Sequence, residues 1–134
     1  MAIFIDTGIF TGAYNIRDRY HQRAKSILID IIEGKYGQAY TSDYIFDEAI
    51  TLTLYKTKNI ELAIKLGECI LGSTIIELVH TSTVDFENAW SLFKKLRKQL
   101  SFTDCISLAI IKRLEIDYIA SFDSDFDGLV ERIS

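Results

Sequence analysis

The sequence predicts an α/β domain, a three-layer α/β/α sandwich around a mainly parallel sheet of four or five strands. The run Ala2–Ile5 is apolar on both alternating faces, which suits a strand covered by helices on both sides. Predicted strands and helices then alternate along the chain, which favours parallel strands joined by right-handed crossovers. The 134 residues fall in the usual size range for one domain with one core, so we expect a single domain over residues 1–134.

The later elements follow from apolar periodicity, helix caps and glycines, because the chain contains no proline. The further predicted strands are Gln38–Tyr40, Ile75–Val79 and Tyr118–Ser121, with a tail that can add a short edge strand. The predicted helices are Ala24–Ile32, one from Thr41 or Ser42 to about Thr57, Asn59–Leu71, Val84–Gln99 and Thr103–Leu114. The Val84–Gln99 helix is expected to turn Trp90, Leu92, Phe93 and Leu96 inward and a basic face outward.

Composition narrows the class of protein. The net charge of −4 and the pI near 5.1 argue against a protein that coats nucleic acid by bulk charge. No apolar run approaches the length of a membrane span, and no basic leader precedes Asp6, so we expect a cytoplasmic protein. Cys69 and Cys105 have no metal-ligand spacing and are expected to be reduced thiols in the core.

Four carboxylates occupy positions where an apolar residue or a helix cap would be expected. Asp6 ends the first strand, and Asp123 follows the Tyr118–Ser121 strand, so both are placed at the carboxyl edge of a parallel sheet, where ligands bind. Glu48 shares a helix face with Ile45, Leu52 and Tyr55. Asp104 opens the most apolar helix and is in line with Leu108 and Ile111.

Each carboxylate also has a purely structural interpretation. Asp104 fits a capping box with Ser101, Glu48 can be a solvated helix residue, and Asp6 with Gly8 can end a strand in a turn. Convergence of all four at one edge favours a shared site. Two unit charges about 4 Å apart repel by about 4 kcal/mol at an effective dielectric near 20, so either some carboxyl groups are protonated or a cation lies among them. Oxygen-only ligands favour Mg²⁺ or Mn²⁺, and such ions favour hydrolysis of nucleic acid.

The motifs at these positions resemble those of the PIN-domain ribonucleases, especially the VapC-like toxins of toxin–antitoxin pairs, and the likeness covers essentially the whole chain. The motifs are Asp6-Thr7-Gly8, Glu48 six residues after Ser42, Ser101-Phe102-Thr103-Asp104, and Ser121-Phe122-Asp123-Ser124-Asp125-Phe126. Asp18, His21 and Ala24 also resemble the family's segment before its first long helix.

The resemblance implies an endoribonuclease that depends on Mg²⁺ or Mn²⁺. Asp6, Glu48, Asp104 and Asp123 would be the catalytic, metal-holding residues, Asp125 is an additional candidate ligand, and Thr7 and Ser121 would orient carboxylates or water. It also implies a homodimer and a small antitoxin partner. A catalytically silent PIN-like module that binds RNA or a protein is the alternative.

Two clusters of basic residues are candidate RNA contacts in an otherwise acidic protein. The first is Lys94, Lys95, Arg97 and Lys98, and the second is Arg17, Arg19 and Arg23. Solvated helix faces would explain both clusters equally simply. His21 is interpreted as a hydrogen bonder at a helix start rather than as a general base.

Overall fold

A computed structural model describes residues 1–134 and confirms the α/β prediction. Five parallel strands form one sheet in the order β3-β2-β1-β4-β5. The elements are β1 (Ala2–Ile5), α1 (Thr7–Tyr14), α2 (His21–Ile32), β2 (Gln38–Ser42), α3 (Asp43–Thr57), α4 (Ile60–Leu71), β3 (Ile76–Val79), α5 (Thr83–Leu96), α6 (Phe102–Arg113), β4 (Tyr118–Ala120) and β5 (Glu131–Ile133). A short 3₁₀ turn, Ser124–Phe126, lies between β4 and β5.

Strand β1 is the centre of the sheet, which explains its uninterrupted apolar sequence. It pairs with β2 on one side and β4 on the other, so that Phe4 lies opposite both Tyr40 and Ile119. Ile3, Phe4 and Ile5 are fully buried within a core of 25 residues contributed by both helical layers. A strand buried on both faces cannot alternate polar and apolar residues.

Most helices begin at a residue whose side chain accepts from a backbone N–H of the first turn, as capping chemistry predicts. The side-chain caps are Asp6, Ser42, Asn59, Ser82 and Ser101. Two helices differ from the sequence prediction by more than one residue at their start. Helix α1, which begins at Thr7 immediately after β1, was not among the predicted helices, and α2 begins at His21 rather than Ala24.

The prediction for the inward face of α5 was wrong in part. Trp90 is 50% exposed and Phe93 is 43% exposed. The core side of α5 is instead formed by Asp85, Ala89, Leu92 and Leu96. Helix α5 therefore carries two apolar stripes, and the one with the larger side chains faces outward.

Two further burial predictions were wrong. Cys69 is exposed, although Cys105 is buried as expected. Tyr55 is 76% exposed, because the buried stripe of α3 runs through Ile45, Ala49 and Thr53. None of the helices combines the length and apolar character that a membrane crossing requires.

An ion pair between a buried carboxylate and an exposed guanidinium joins α5 to α6. The Asp85 side chain is 1% exposed and accepts from the Arg113 guanidinium through two bonds of 2.8 Å, from Nε and Nη2. Asp85 also completes a capping box with Ser82 at the start of α5. The guanidinium lowers the pKa of the Asp85 carboxyl, so this carboxylate is compensated locally.

Candidate active site

The ends of β1 and β4 bring Asp6 and the Asp123 segment to one edge of the sheet. The Asp6 N–H donates to the Ala120 carbonyl at 3.0 Å, which extends the parallel pairing by one residue. Asp6 also caps α1, because its Oδ1 accepts from the Thr7 N–H at 2.9 Å. One residue thus ends the central strand, starts the first helix and places a carboxylate between them.

Ser121 connects Asp6 to Asp123. Its fully buried hydroxyl donates to Asp6 Oδ2 at 2.6 Å and accepts from the Asp123 N–H at 3.1 Å. The hydroxyl therefore fixes the second oxygen of Asp6 and the backbone that carries Asp123. This geometry is compatible with the expectation that Ser121 orients a carboxylate of the cluster.

Glu48 reaches the same edge from the second turn of α3. The Thr7 hydroxyl donates to Glu48 Oε1 at 2.5 Å, although the two residues are 41 positions apart. Glu48 is half-buried beside the apolar stripe of α3, whereas its neighbour Asp47 is exposed. Thr7 thus holds Glu48 through its side chain and Asp6 through its backbone.

Asp104 forms the capping box that the sequence predicted and also lies among the other carboxylates. Its Oδ2 accepts from the Ser101 N–H at 2.8 Å, and the Ser101 hydroxyl accepts from the Asp104 N–H at 3.1 Å, so the capping box is formed. The same half-buried carboxyl interacts with the charges of Glu48 and Asp123. The cap fixes Oδ2 of Asp104, and its Oδ1 accepts no hydrogen bond from the protein.

Burial and repulsion between carboxylates raise the pKa of two members of the cluster, Asp6 and Asp104. Burial, followed by the charges of Asp104 and Glu48, raises the pKa of Asp6 from 3.8 to about 7, against the opposing hydrogen bonds from Ser121 and Thr7. Burial likewise raises the pKa of Asp104, with further contributions from Asp123 and Glu48. No basic side chain forms an ion pair with any of the four carboxylates. The four carboxylates interact through their charges and form no ion pair, although Asp123 also attracts the Arg132 guanidinium at longer range.

The donor set suits a hard divalent cation. Glu48, Asp104 and Asp123 each keep one carboxylate oxygen that accepts no hydrogen bond from the protein. In this structure no three His, Cys, Asp or Glu side chains lie close enough together to hold a metal ion. Mg²⁺ usually retains several waters and takes one or two carboxylates, so an open, oxygen-only site fits a partly hydrated ion.

Comparison with known proteins places this architecture in a family. A PIN-domain family model matches residues 3–131. The chain belongs to the PIN-domain family. The VapC ribonuclease of Archaeoglobus fulgidus is 34% identical over 128 residues, which cover 94% of this chain and 80% of that protein. The 23S rRNA-specific endonuclease VapC20 of Mycobacterium tuberculosis is 29% identical over 132 residues, 96% of each chain.

Solved structures agree with the sequence comparison. The crystal structure of VapC20 from M. tuberculosis, described as a sarcin-ricin loop cleaving toxin, matches with a TM-score of 0.84 and 27% identity over 96% of this chain and 97% of that one. VapBC2 from Rickettsia felis, bound to a promoter DNA fragment, matches with a TM-score of 0.71 and 14% identity over 99% and 98% of the two chains, which shows the shared fold.

The three aspartates of the acidic turn in this PIN domain differ in their hydrogen-bond partners. Asp123 caps the 3₁₀ turn through the Asp125 N–H at 2.9 Å. Asp127 binds the Arg132 guanidinium at 2.7 and 3.1 Å. The Asp125 carboxylate makes no hydrogen bond at all, so its bracing of the turn comes from its backbone alone. Asp125 stays a candidate ligand at the rim.

One of the predicted RNA-binding lysines, Lys98, lies beside this turn. Lys98 Nζ donates to the carbonyls of Asp125 and Asp127 at 3.2 and 3.5 Å. Lys94, Lys95 and Arg97 are exposed at the end of α5. Of the second basic cluster, Arg23 donates to the Ser134 carbonyl and Arg19 stacks on Tyr20, whereas Arg17 is exposed with its side chain unpaired.

Sequence reasoning missed a row of aromatic rings that leads away from the carboxylates. Tyr44 and Phe102 meet edge to face at 6.2 Å, where α3 and α6 carry Glu48 and Asp104. The row continues from Phe102 to Trp90 at 6.4 Å and from Trp90 to Phe93 at 5.7 Å. The sequence did contain a signal for this row. The larger apolar residues of α5 are spaced so that they form their own stripe, separate from the stripe that contains Ala89.

Proposed function

We propose that this PIN domain is an endoribonuclease that depends on Mg²⁺ or Mn²⁺ and is the toxin of a toxin–antitoxin pair. The observation that carries the proposal is the cluster of Asp6, Glu48, Asp104 and Asp123, which repel one another without a basic partner. A buried group of like charges is costly unless protons or a cation compensate it. Relatives named as VapC ribonucleases support the choice of RNA hydrolysis over other metal-assisted reactions.

In this proposal the carboxylates bind the metal ion, and the neighbouring hydroxyls orient the carboxylates. Glu48, Asp104 and Asp123 offer free oxygens to the ion, and Asp6 offers the remaining lone pairs of its fixed carboxylate. The hydroxyls of Thr7 and Ser121 hold Glu48 and Asp6 in place. When bound, such an ion lowers the pKa of water and stabilises charge on a phosphodiester. Hydrolysis then adds one water across a P–O bond, which breaks as its oxygen takes up a proton.

The proposed partners follow from the proposed activity. A toxin that cuts RNA requires an inhibitor, so we expect a small antitoxin protein that covers the carboxylates, and RNA as a substrate implies a cytoplasmic location. We also expect a homodimer, as the family resemblance implies. Co-expression with the product of a neighbouring short reading frame, followed by co-purification and loss of RNA cleavage, tests the antitoxin.

A cleavage assay on structured and unstructured RNA tests the reaction. We expect cleavage with Mg²⁺ or Mn²⁺, none with chelator, and none from Asp6→Asn or Asp104→Asn in either metal. Asp47→Asn is the matched control, because Asp47 is exposed on the same helix as Glu48 and should cut normally. Unchanged cleavage by the Asp6→Asn, Asp104→Asn double variant would overturn the proposal. Absence of both cleavage and metal binding would favour the silent binding module.

A further inference from the structure

The exposed part of the aromatic row joins a basic cluster at the end of α5. Trp90, Phe93, Lys94, Arg97 and Lys98 line an open pocket of about 460 Å³, which we call the α5 surface. The planes of the Trp90 and Phe93 rings lie within 9° of parallel. With a centroid separation of 5.7 Å they overlap only in part, so each ring leaves area uncovered.

The α5 surface adjoins the carboxylate cluster at both of its ends. At one end Trp90 packs against Phe102, which lies two residues before Asp104. At the other end Lys98 binds carbonyls of the acidic turn that follows Asp123. Both ends of the α5 surface therefore contact segments that carry carboxylates of the cluster, which places the α5 surface beside the proposed cleavage site.

The chemistry of the α5 surface matches a single RNA strand better than a protein partner. Exposed aromatic rings beside cations bind unpaired bases by stacking and phosphates by charge. Lys94 Nζ lies 5.8 Å over the Trp90 ring, beside any base that stacks there. Neither Lys94 nor Arg97 has an acidic partner, so both charges are available. A second copy of the chain, docked symmetrically, would bring these like charges together.

Building on the proposed ribonuclease activity, we propose that the α5 surface binds an unpaired nucleotide of the RNA next to the cleaved bond. Trp90 and Phe93 stack on its base, and Lys94 and Arg97 contact phosphates of the same strand. The α5 surface is thus a determinant of substrate choice that favours RNA with unpaired bases beside the cleavage site.

Trp90 is the only tryptophan in the chain, so its fluorescence reports on the α5 surface alone. The wild-type protein is titrated with a single-stranded 2′-O-methyl oligonucleotide, which resists hydrolysis, in chelator and low salt. Anisotropy of labelled oligonucleotide gives the affinity in the same buffer. We expect tryptophan quenching that saturates together with the anisotropy.

Variants then distinguish base stacking on Trp90 from a merely structural role of this side chain, and they test the phosphate contacts separately. Trp90→Leu keeps an apolar side chain but should weaken binding by about 5- to 150-fold, and Trp90→Tyr should restore most of it. Lys94→Gln and Arg97→Gln should each reduce the slope of log affinity against log salt by about 0.7, the value for one phosphate contact on a single strand. Lys65→Gln, an exposed lysine on α4, should leave the slope unchanged.

Three results would overturn the inference: no oligonucleotide binding, binding without quenching, or sedimentation showing a dimer that shields Trp90 and is lost in Trp90→Leu. A separate cleavage assay with wild-type protein and Mn²⁺ keeps the two proposals distinct. Cleavage that persists alongside any of these results refutes only the α5 surface. Quenching and rescue without cleavage would refute the ribonuclease while the binding surface stands.

Discussion

Replacing Asp6 with asparagine should stabilise the metal-free protein at alkaline pH while abolishing cleavage. Burial and the charges of Asp104 and Glu48 raise the pKa of Asp6 from 3.8 to about 7. A carboxyl group whose pKa is raised on folding weakens the folded state above its unfolded pKa, and the penalty grows until the pH passes the folded pKa. At about 1.4 kcal/mol per pKa unit, the ionised Asp6 costs about 4 kcal/mol at pH 8.

Asparagine removes that cost and loses part of the hydrogen bonding. Its single carbonyl oxygen replaces two carboxylate oxygens that accept from Thr7 and Ser121, and one imperfect bond costs about 1.5 kcal/mol. The net gain of Asp6→Asn should therefore be about 3 kcal/mol at pH 8. At pH 5 the folded wild-type carboxyl is protonated, and its penalty is about 3 kcal/mol smaller than at pH 8. The small remaining penalty is matched by the hydrogen bonding that asparagine loses, so the two proteins should be equally stable at pH 5.

Urea unfolding of wild type and variant in chelator, at pH 5 and pH 8, measures the difference directly. Asp47→Asn is the control, because this exposed carboxylate should give no change at either pH. Addition of Mn²⁺ at 100 times its dissociation constant should stabilise wild type by about 2.7 kcal/mol and the variant less. A variant that is less stable than wild type at pH 8, or a difference that does not depend on pH, would refute the assignment of Asp6 as a repelled, desolvated carboxylate.

Three other substitutions test single contacts. Thr7→Val keeps the shape but removes the donor to Glu48, so kcat/KM should fall by about 10- to 100-fold while urea unfolding changes little. Arg113→Met leaves the Asp85 carboxylate without its partly exposed guanidinium and should cost about 1 to 3 kcal/mol in urea unfolding, a loss that shrinks on acidification because Arg113 lowers the pKa of Asp85. Gly12→Ala places a methyl group 2.9 Å from a Cβ of α2 and should lower the thermal midpoint, at a cost of about 1 to 3 kcal/mol.

The sequence was sufficient for the fold because its local signals agreed with one another. The apolar run before Asp6 favoured a strand covered on both faces, and β1 is the central strand of the sheet. Ser42 and Ser101 marked helix starts that the structure confirms. The apolar run did not reveal that Asp6 caps a helix as well as ending a strand. Periodicity is a property of a segment, so it could not reveal the second role of a single residue.

The sequence misjudged α5 because hydrophobicity alone does not choose between two apolar stripes. The stripe through Asp85 and Ala89 has small and charged members, yet it faces the core because Arg113 of α6 pairs with Asp85. That partner lies 28 residues away, beyond any local pattern. The larger rings of Trp90 and Phe93 were left on the surface, where their apolar area is available for binding.

The same limit applies to telling a site carboxylate from a structural one. Asp123 and Asp127 belong to one acidic turn and look alike in sequence. In the structure, Arg132 binds Asp127 through both of its oxygens and lowers the pKa of that carboxyl, which is what a structural ion pair does. Asp123 has no such partner within bonding distance, and its charge instead helps to raise the pKa of Asp104. Arg132 thus neutralises Asp127 in the turn, whereas none of the four carboxylates around Asp6 forms an ion pair, and this difference supports the proposal that the cluster binds a cation.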